Sequence, residues 1–135
     1  MPTYPLYDND AEHLHAANGH PLREVTVDAA LHDLALDDIQ IDKTTLQAQA
    51  QIARASGYAQ LALNLERAAE LTAVPRAEII TMYQLMRPGR ASFDELMALA
   101  ARLETAYAAP ICAALVREAA TVYRQRQLLK RPPAF

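Results

Sequence analysis

From Asp42 onward the apolar positions of the chain recur three and four residues apart, the spacing of one face of an α-helix. Five long helices are predicted. The first covers about 44–56 and stops at Gly57, a residue suited to a left-handed cap. The second covers about 58–73 and puts Tyr58, Leu61, Leu65, Ala68 and Thr72 on one face. Val74-Pro75 ends it, because proline disfavours helical geometry in the residue before it. Pro75 can itself open the third, to about 86, with Ile79, Met82, Tyr83 and Met86 as its apolar face. Arg87-Pro88-Gly89-Arg90 reads as a turn. Ser92-Phe93-Asp94-Glu95 has the capping-box spacing and opens the fourth, along which Phe93, Leu96, Met97, Ala100, Leu103 and Tyr107 repeat to about 108. Pro110 starts the longest, to about 129, or roughly 30 Å. Ile111, Leu115, Ala119 and Val122 form one stripe on it, and Cys112, Val116 and Tyr123 a second; so wide an apolar arc predicts packing on two sides.

Residues 1–25 lack such a period. Pro2, Pro5, Gly19 and Pro21 interrupt polar sequence, so this stretch is expected to be an extended arm, irregular in conformation and ordered by a partner surface. Thr26 can cap a short helix over 27–34, and 37–41 reads as a connector. The expected organisation is therefore an N-terminal arm, 1–25, and one all-α domain, 26–135, of about five main helices.

Composition sharpens this picture. Hydrophobic residues are 52% of the 135, while aromatics are only 6% and Trp is absent, so alanine and leucine, both good helix formers, carry the core. Three glycines are too few for a turn-rich β protein. No apolar run approaches the roughly 20 residues that span a bilayer, and Met1-Pro2-Thr3-Tyr4-Pro5 does not read as a secretory signal. A single cysteine leaves no internal disulfide framework, which fits the cytoplasm. A net charge of −3 is a poor footprint for nucleic acid. The one basic cluster, Arg124, Arg126, Lys130 and Arg131, reads as cations at a helix C-terminus, where the macrodipole favours them.

Chemistry is sparse. His13, His15 and His20 lie close in sequence, but no cysteine or carboxylate completes a metal-ligand spacing, so they read as exposed loop residues. Cys112 sits among Ile111, Ala113, Leu115 and Val116 and reads as a small core residue rather than a nucleophile. Glu66, Arg67 and Glu70, with Arg117 and Glu118, interrupt apolar helices; ion pairs or partner contacts are expected of them, not catalysis. No catalytic, cofactor-binding or metal-ligating residue is assigned.

Longer segments carry a sharper signal. Asn64-Leu65-Glu66-Arg67-Ala68-Ala69-Glu70-Leu71-Thr72-Ala73-Val74-Pro75 and Ile111-Cys112-Ala113-Ala114-Leu115-Val116-Arg117-Glu118-Ala119-Ala120-Thr121-Val122-Tyr123 resemble the small subunit of adenosylcobalamin-dependent diol and glycerol dehydratases. Tyr4-Pro5-Leu6, residues 41–50 and Arg87-Pro88 with Arg90 match the same family in order and spacing. The beginning near Tyr4-Pro5-Leu6, and Gly19-His20-Pro21-Leu22, lean toward the glycerol type; 66–75 and 111–123 lean toward the diol type.

The resemblance implies a non-catalytic subunit of a hydro-lyase that turns 1,2-diols or glycerol into aldehydes by a radical route. It implies large, medium and small subunits, two of each, with adenosylcobalamin held between the large and medium ones and this chain packed on the large one. It also implies a bacterial, cytoplasmic setting, with less tendency to microcompartment association than relatives that carry an N-terminal extension. The alternative is a stand-alone helical interaction or regulatory domain. An obligate partner distinguishes the first reading from the second.

Overall fold

Every regular element among the described residues is helical, as the periodicity predicts. The structure is a computed structural model and describes residues 2–15, 19, 21–24, 26, 28 and 42–133. In chain order the elements are α1 (Leu6–Asp10), two 3-10 turns (Ala11–His13 and Leu22–Glu24), α2 (Lys43–Ala55), α3 (Ala59–Leu71), α4 (Arg76–Leu85), α5 (Phe93–Tyr107) and α6 (Pro110–Gln125). Apart from Asp28, the helix expected over 27–34 and the connector over 37–41 lie outside the described residues. The chain divides into two compact units, Met1–Ala69 and Glu70–Phe135.

In the first unit α2 and α3 are joined at Gly57, whose φ of 87° provides the left-handed cap. The amide of Gly57 donates to the Arg54 carbonyl at 3.1 Å and that of Tyr58 to the Ala53 carbonyl at 2.9 Å, so the last carbonyls of α2 are satisfied. Ala50, Ala53 and Ala62 are buried as one cluster, with Leu65 at its margin. The stretch read as irregular contains α1 and both 3-10 turns. Asn9 closes α1 locally, its amide side chain donating to the Pro5 carbonyl at 2.9 Å, and Leu6 and Leu14 are buried.

The core of the second unit is an α5–α6 hairpin. Ser92 caps α5: its hydroxyl accepts from the Glu95 amide at 3.2 Å and its own amide donates to the Glu95 carboxylate at 2.8 Å. At the other end Ala108 turns left-handed, with φ of 49°, and the Ala109 amide closes on the Leu103 carbonyl at 2.9 Å. Pro110 then starts α6 at a position where a missing N–H costs nothing. Leu96, Leu99, Ala100 and Leu103 from α5 meet Cys112, Ala113, Val116 and Ala120 from α6, joined by Val74, Met82, Ala91 and Ala109.

Three expectations are corrected. First, α6 stops at Gln125 rather than near 129, so it is about 24 Å long. Gln127 adopts φ of 56°, and the Leu128 amide returns to the Tyr123 carbonyl at 2.8 Å, a Schellman-type stop without glycine. Tertiary bonds hold the chain beyond it: the Gly89 amide donates to the Leu128 carbonyl at 2.7 Å and the Lys130 amide to the Ala91 carbonyl at 2.8 Å. Second, the buried face of α6 is the Cys112 and Val116 stripe extended by Ala113 and Ala120. The Ile111, Leu115, Ala119 and Val122 stripe is only half-buried. Third, α3 buries Ala62, Ala69 and Glu70, whereas the stripe from Tyr58 to Thr72 stays exposed or half-exposed. In both helices small side chains form the inner face, because they let the neighbouring backbone come close.

Candidate interaction surface

The stripe from Tyr58 along α3, left outside the core, makes an exposed apolar surface on the first unit. Tyr58 is 64% exposed, Leu61 51% and Tyr4 76%. With Ile52, Ala53 and Leu65 these residues line a groove on α2 and α3 in which Gln49 and Ser56 supply the polar contacts. In the second unit Ile80 and Tyr83 stand out from α4, 50% and 60% exposed. Single exposed apolar residues are ordinary on a soluble protein; a groove of two tyrosines, two leucines and an isoleucine is the kind of surface a partner covers.

The charged residues have structural work. Glu70, the one buried carboxylate among the described residues, accepts the Ile111 amide at 2.9 Å and the Cys112 amide at 2.7 Å. Helix α6 needs this, since its N-cap is Ala109, which has no side chain to offer the first amides. The carboxylate also lies at the positive end of the α6 dipole. An apolar residue at the N-cap position before Pro110 was the sequence sign that a distant acceptor was required. Glu66 and Arg54 pair at 2.5 Å between α3 and α2. The hydrogen bond from Arg54 holds the Glu66 carboxyl below its ordinary value, and the same contact raises Arg54. Arg67 donates to the Asn64 side chain at 2.7 Å, Arg117 pairs with Glu104 at 2.5 Å, and Arg102 pairs with Glu78. Glu118 is exposed. The charged residues that interrupt the apolar helices thus include helix-to-helix ties.

His13 bonds Asp10 at 2.6 Å and His15 bonds the His13 carbonyl at 3.0 Å; both are exposed, and His20 lies outside the described residues. Cys112 is buried in the core of the second unit. Among the described residues no three His, Cys, Asp or Glu side chains are grouped to hold a metal, and no helix is long and apolar enough to cross a membrane.

A family model described as the dehydratase small subunit matches residues 1–130. The chain is 45% identical over 128 residues to the propanediol dehydratase small subunit of Citrobacter freundii. It is 44% identical over 128 residues to that of Salmonella typhimurium. Each comparison covers 94% of this chain and 74% of the relative.

Proposed function

The chain belongs to the dehydratase small-subunit family, and from that premise we propose that it is the small, non-catalytic subunit of a coenzyme B12-dependent diol or glycerol dehydratase. The observation that carries this reading is the likeness to two propanediol dehydratase small subunits over 94% of the chain. The complex is a hydro-lyase of large, medium and small subunits, two of each, in the bacterial cytoplasm. The large subunit holds the substrate. The small subunit packs on it and stabilises it, with the N-terminal residues 1–25 serving as an arm along its surface.

The apolar groove of Tyr4, Ile52, Tyr58, Leu61 and Leu65 supports a packing role. Tyrosines in such grooves bury area at small entropic cost and act as interface anchors. Adenosylcobalamin, which supplies the radical when bound, is in this reading held between the large and medium subunits.

Co-expression of this chain, carrying an affinity tag, with the large and medium subunits tests the reading. Co-purification of all three, with aldehyde formed from 1,2-propanediol or glycerol once adenosylcobalamin is added, is expected. A chain that purifies alone, without affinity for either subunit, would contradict it.

A further inference from the structure

The two units carry opposite charge. Residues 1–69 hold ten acidic against four basic residues, a net of −6, and residues 70–135 hold six acidic against nine basic, a net of +3; together these make the −3 of the chain. In the second unit most carboxylates are engaged. Glu70 caps α6, Glu95 caps α5, and Glu78 and Glu104 pair with Arg102 and Arg117. Apart from Arg76, the cations left over gather at one place. The hydrogen bonds Gly89 to Leu128 and Lys130 to Ala91 lay the 87–91 turn beside the tail after α6. That brings Arg87 and Arg90 to the same side of the unit as Arg126, Lys130 and Arg131, all exposed, with Arg124 stacked over the Phe93 ring at 4.2 Å. The macrodipole of α6 accounts for Arg124 in its last turn and Arg126 at its cap, but not for Arg90, Lys130 and Arg131, which lie outside the helices.

We propose that this basic patch is a docking surface for an acidic face of the large dehydratase subunit, and that it steers the small subunit onto the complex. The proposal rests on the subunit reading above. Charge complementarity argues for it: a cluster of like charges repels itself unless an opposite charge meets it, and no ion pair among the described residues involves these five cations. An apolar contact is also present, since Leu128 and Leu129 line a groove here with Pro88, Gly89, Lys130 and Arg131. The polar rim with an apolar centre is the anatomy of a protein interface. A polyanion such as nucleic acid is disfavoured, because the chain as a whole is acidic, with a net charge of −3.

The test follows association of the full chain with the large and medium subunits by stopped-flow or surface binding at several salt concentrations. R90E/K130E/R131E is expected to associate at least about tenfold more slowly at low salt, with the difference closing near 1 M. R90Q/K130Q/R131Q falls between that variant and the wild type, and Arg76→Glu, an exposed cation of the same unit outside the patch, has a much smaller effect. The backbone bonds of the patch are unchanged by these substitutions, and an unchanged urea midpoint verifies folding. Assembly of the triple Glu variant at the wild-type rate and salt dependence would overturn this proposal alone, leaving the subunit reading standing. So would equal slowing by Arg76→Glu, or capture of an oligonucleotide by the patch with assembly indifferent to the variants. A wild-type chain that never assembles would overturn the subunit reading and this proposal with it.

Discussion

At the scale of single residues, Glu70 has the largest expected effect. It serves two backbone amides at the start of α6 from a buried position. Charge-assisted hydrogen bonds are each worth about 1.5–3 kcal/mol, and a buried donor left unpaired is costly. Glu70→Ala should therefore destabilise the fold by about 2–4 kcal/mol, read from the shift in urea midpoint. An unchanged midpoint would show that water replaces the carboxylate without loss. Cys112 lies in the core, and Cys112→Ala should cost about 1 kcal/mol while turnover of the assembled enzyme stays near wild type. Loss of turnover with assembly intact would instead give the thiol a chemical role. The Glu66–Arg54 tie has a pH signature. A carboxyl with a lowered folded-state pKa contributes stability above its unfolded value, and that contribution disappears as pH falls through the folded value. Glu66→Gln should thus narrow the gap in thermal midpoint between pH 7 and acid solution below about pH 4.5; an identical acid response in both chains would remove the pair from the account.

At the scale of elements, the ends of helices were legible where a residue's own chemistry sets them. Gly57 stops α2, Val74-Pro75 separates α3 from α4, and Ser92 with Glu95 starts α5, all as the sequence indicates. The end of α6 was not legible, because Gln127 takes the left-handed conformation only with the tail bonded to the 89–91 turn. The α5–α6 connection likewise places alanine, not glycine, at a left-handed position. For an L-residue that conformation costs about 1–2 kcal/mol, which glycine avoids at the expense of a more flexible unfolded chain. Ala108→Gly should therefore stabilise the protein by about 0.5–1 kcal/mol and raise its thermal midpoint by a few degrees. A lower midpoint would mean that the methyl group at 108 contributes more than the backbone strain removes.

At the scale of the whole molecule, the assembly is the object to test. The first 25 residues expose Tyr4 while burying Leu6 and Leu14. Deleting residues 1–22 is expected to weaken capture by the large subunit about tenfold or more, since each anchoring side chain buried at an interface is worth about 1.5–3 kcal/mol. The helical signal of the remaining chain should change little, because α2 to α6 begin at Lys43. Full assembly by the truncated chain would exclude the arm from the interface.

Sequence alone determined the helical class, the number of long helices and most of their boundaries, because period, proline, glycine and capping residues act within a turn or two of themselves. The family-like segments 64–75 and 111–123 were recognised by resemblance rather than by these local rules, and the dehydratase small-subunit model matches residues 1–130. Only the tertiary structure decided which apolar stripe faces inward. On α3 and α6 periodicity offers several apolar faces, and the choice falls to small residues such as Ala62, Ala69, Ala113 and Ala120 that allow close backbone approach. It also decided that Glu70 caps a helix 41 residues away and that Arg87 and Arg90 join the basic tail. These are partnerships between distant segments, set by which donors and acceptors packing brings together, and nothing in local spacing encodes them.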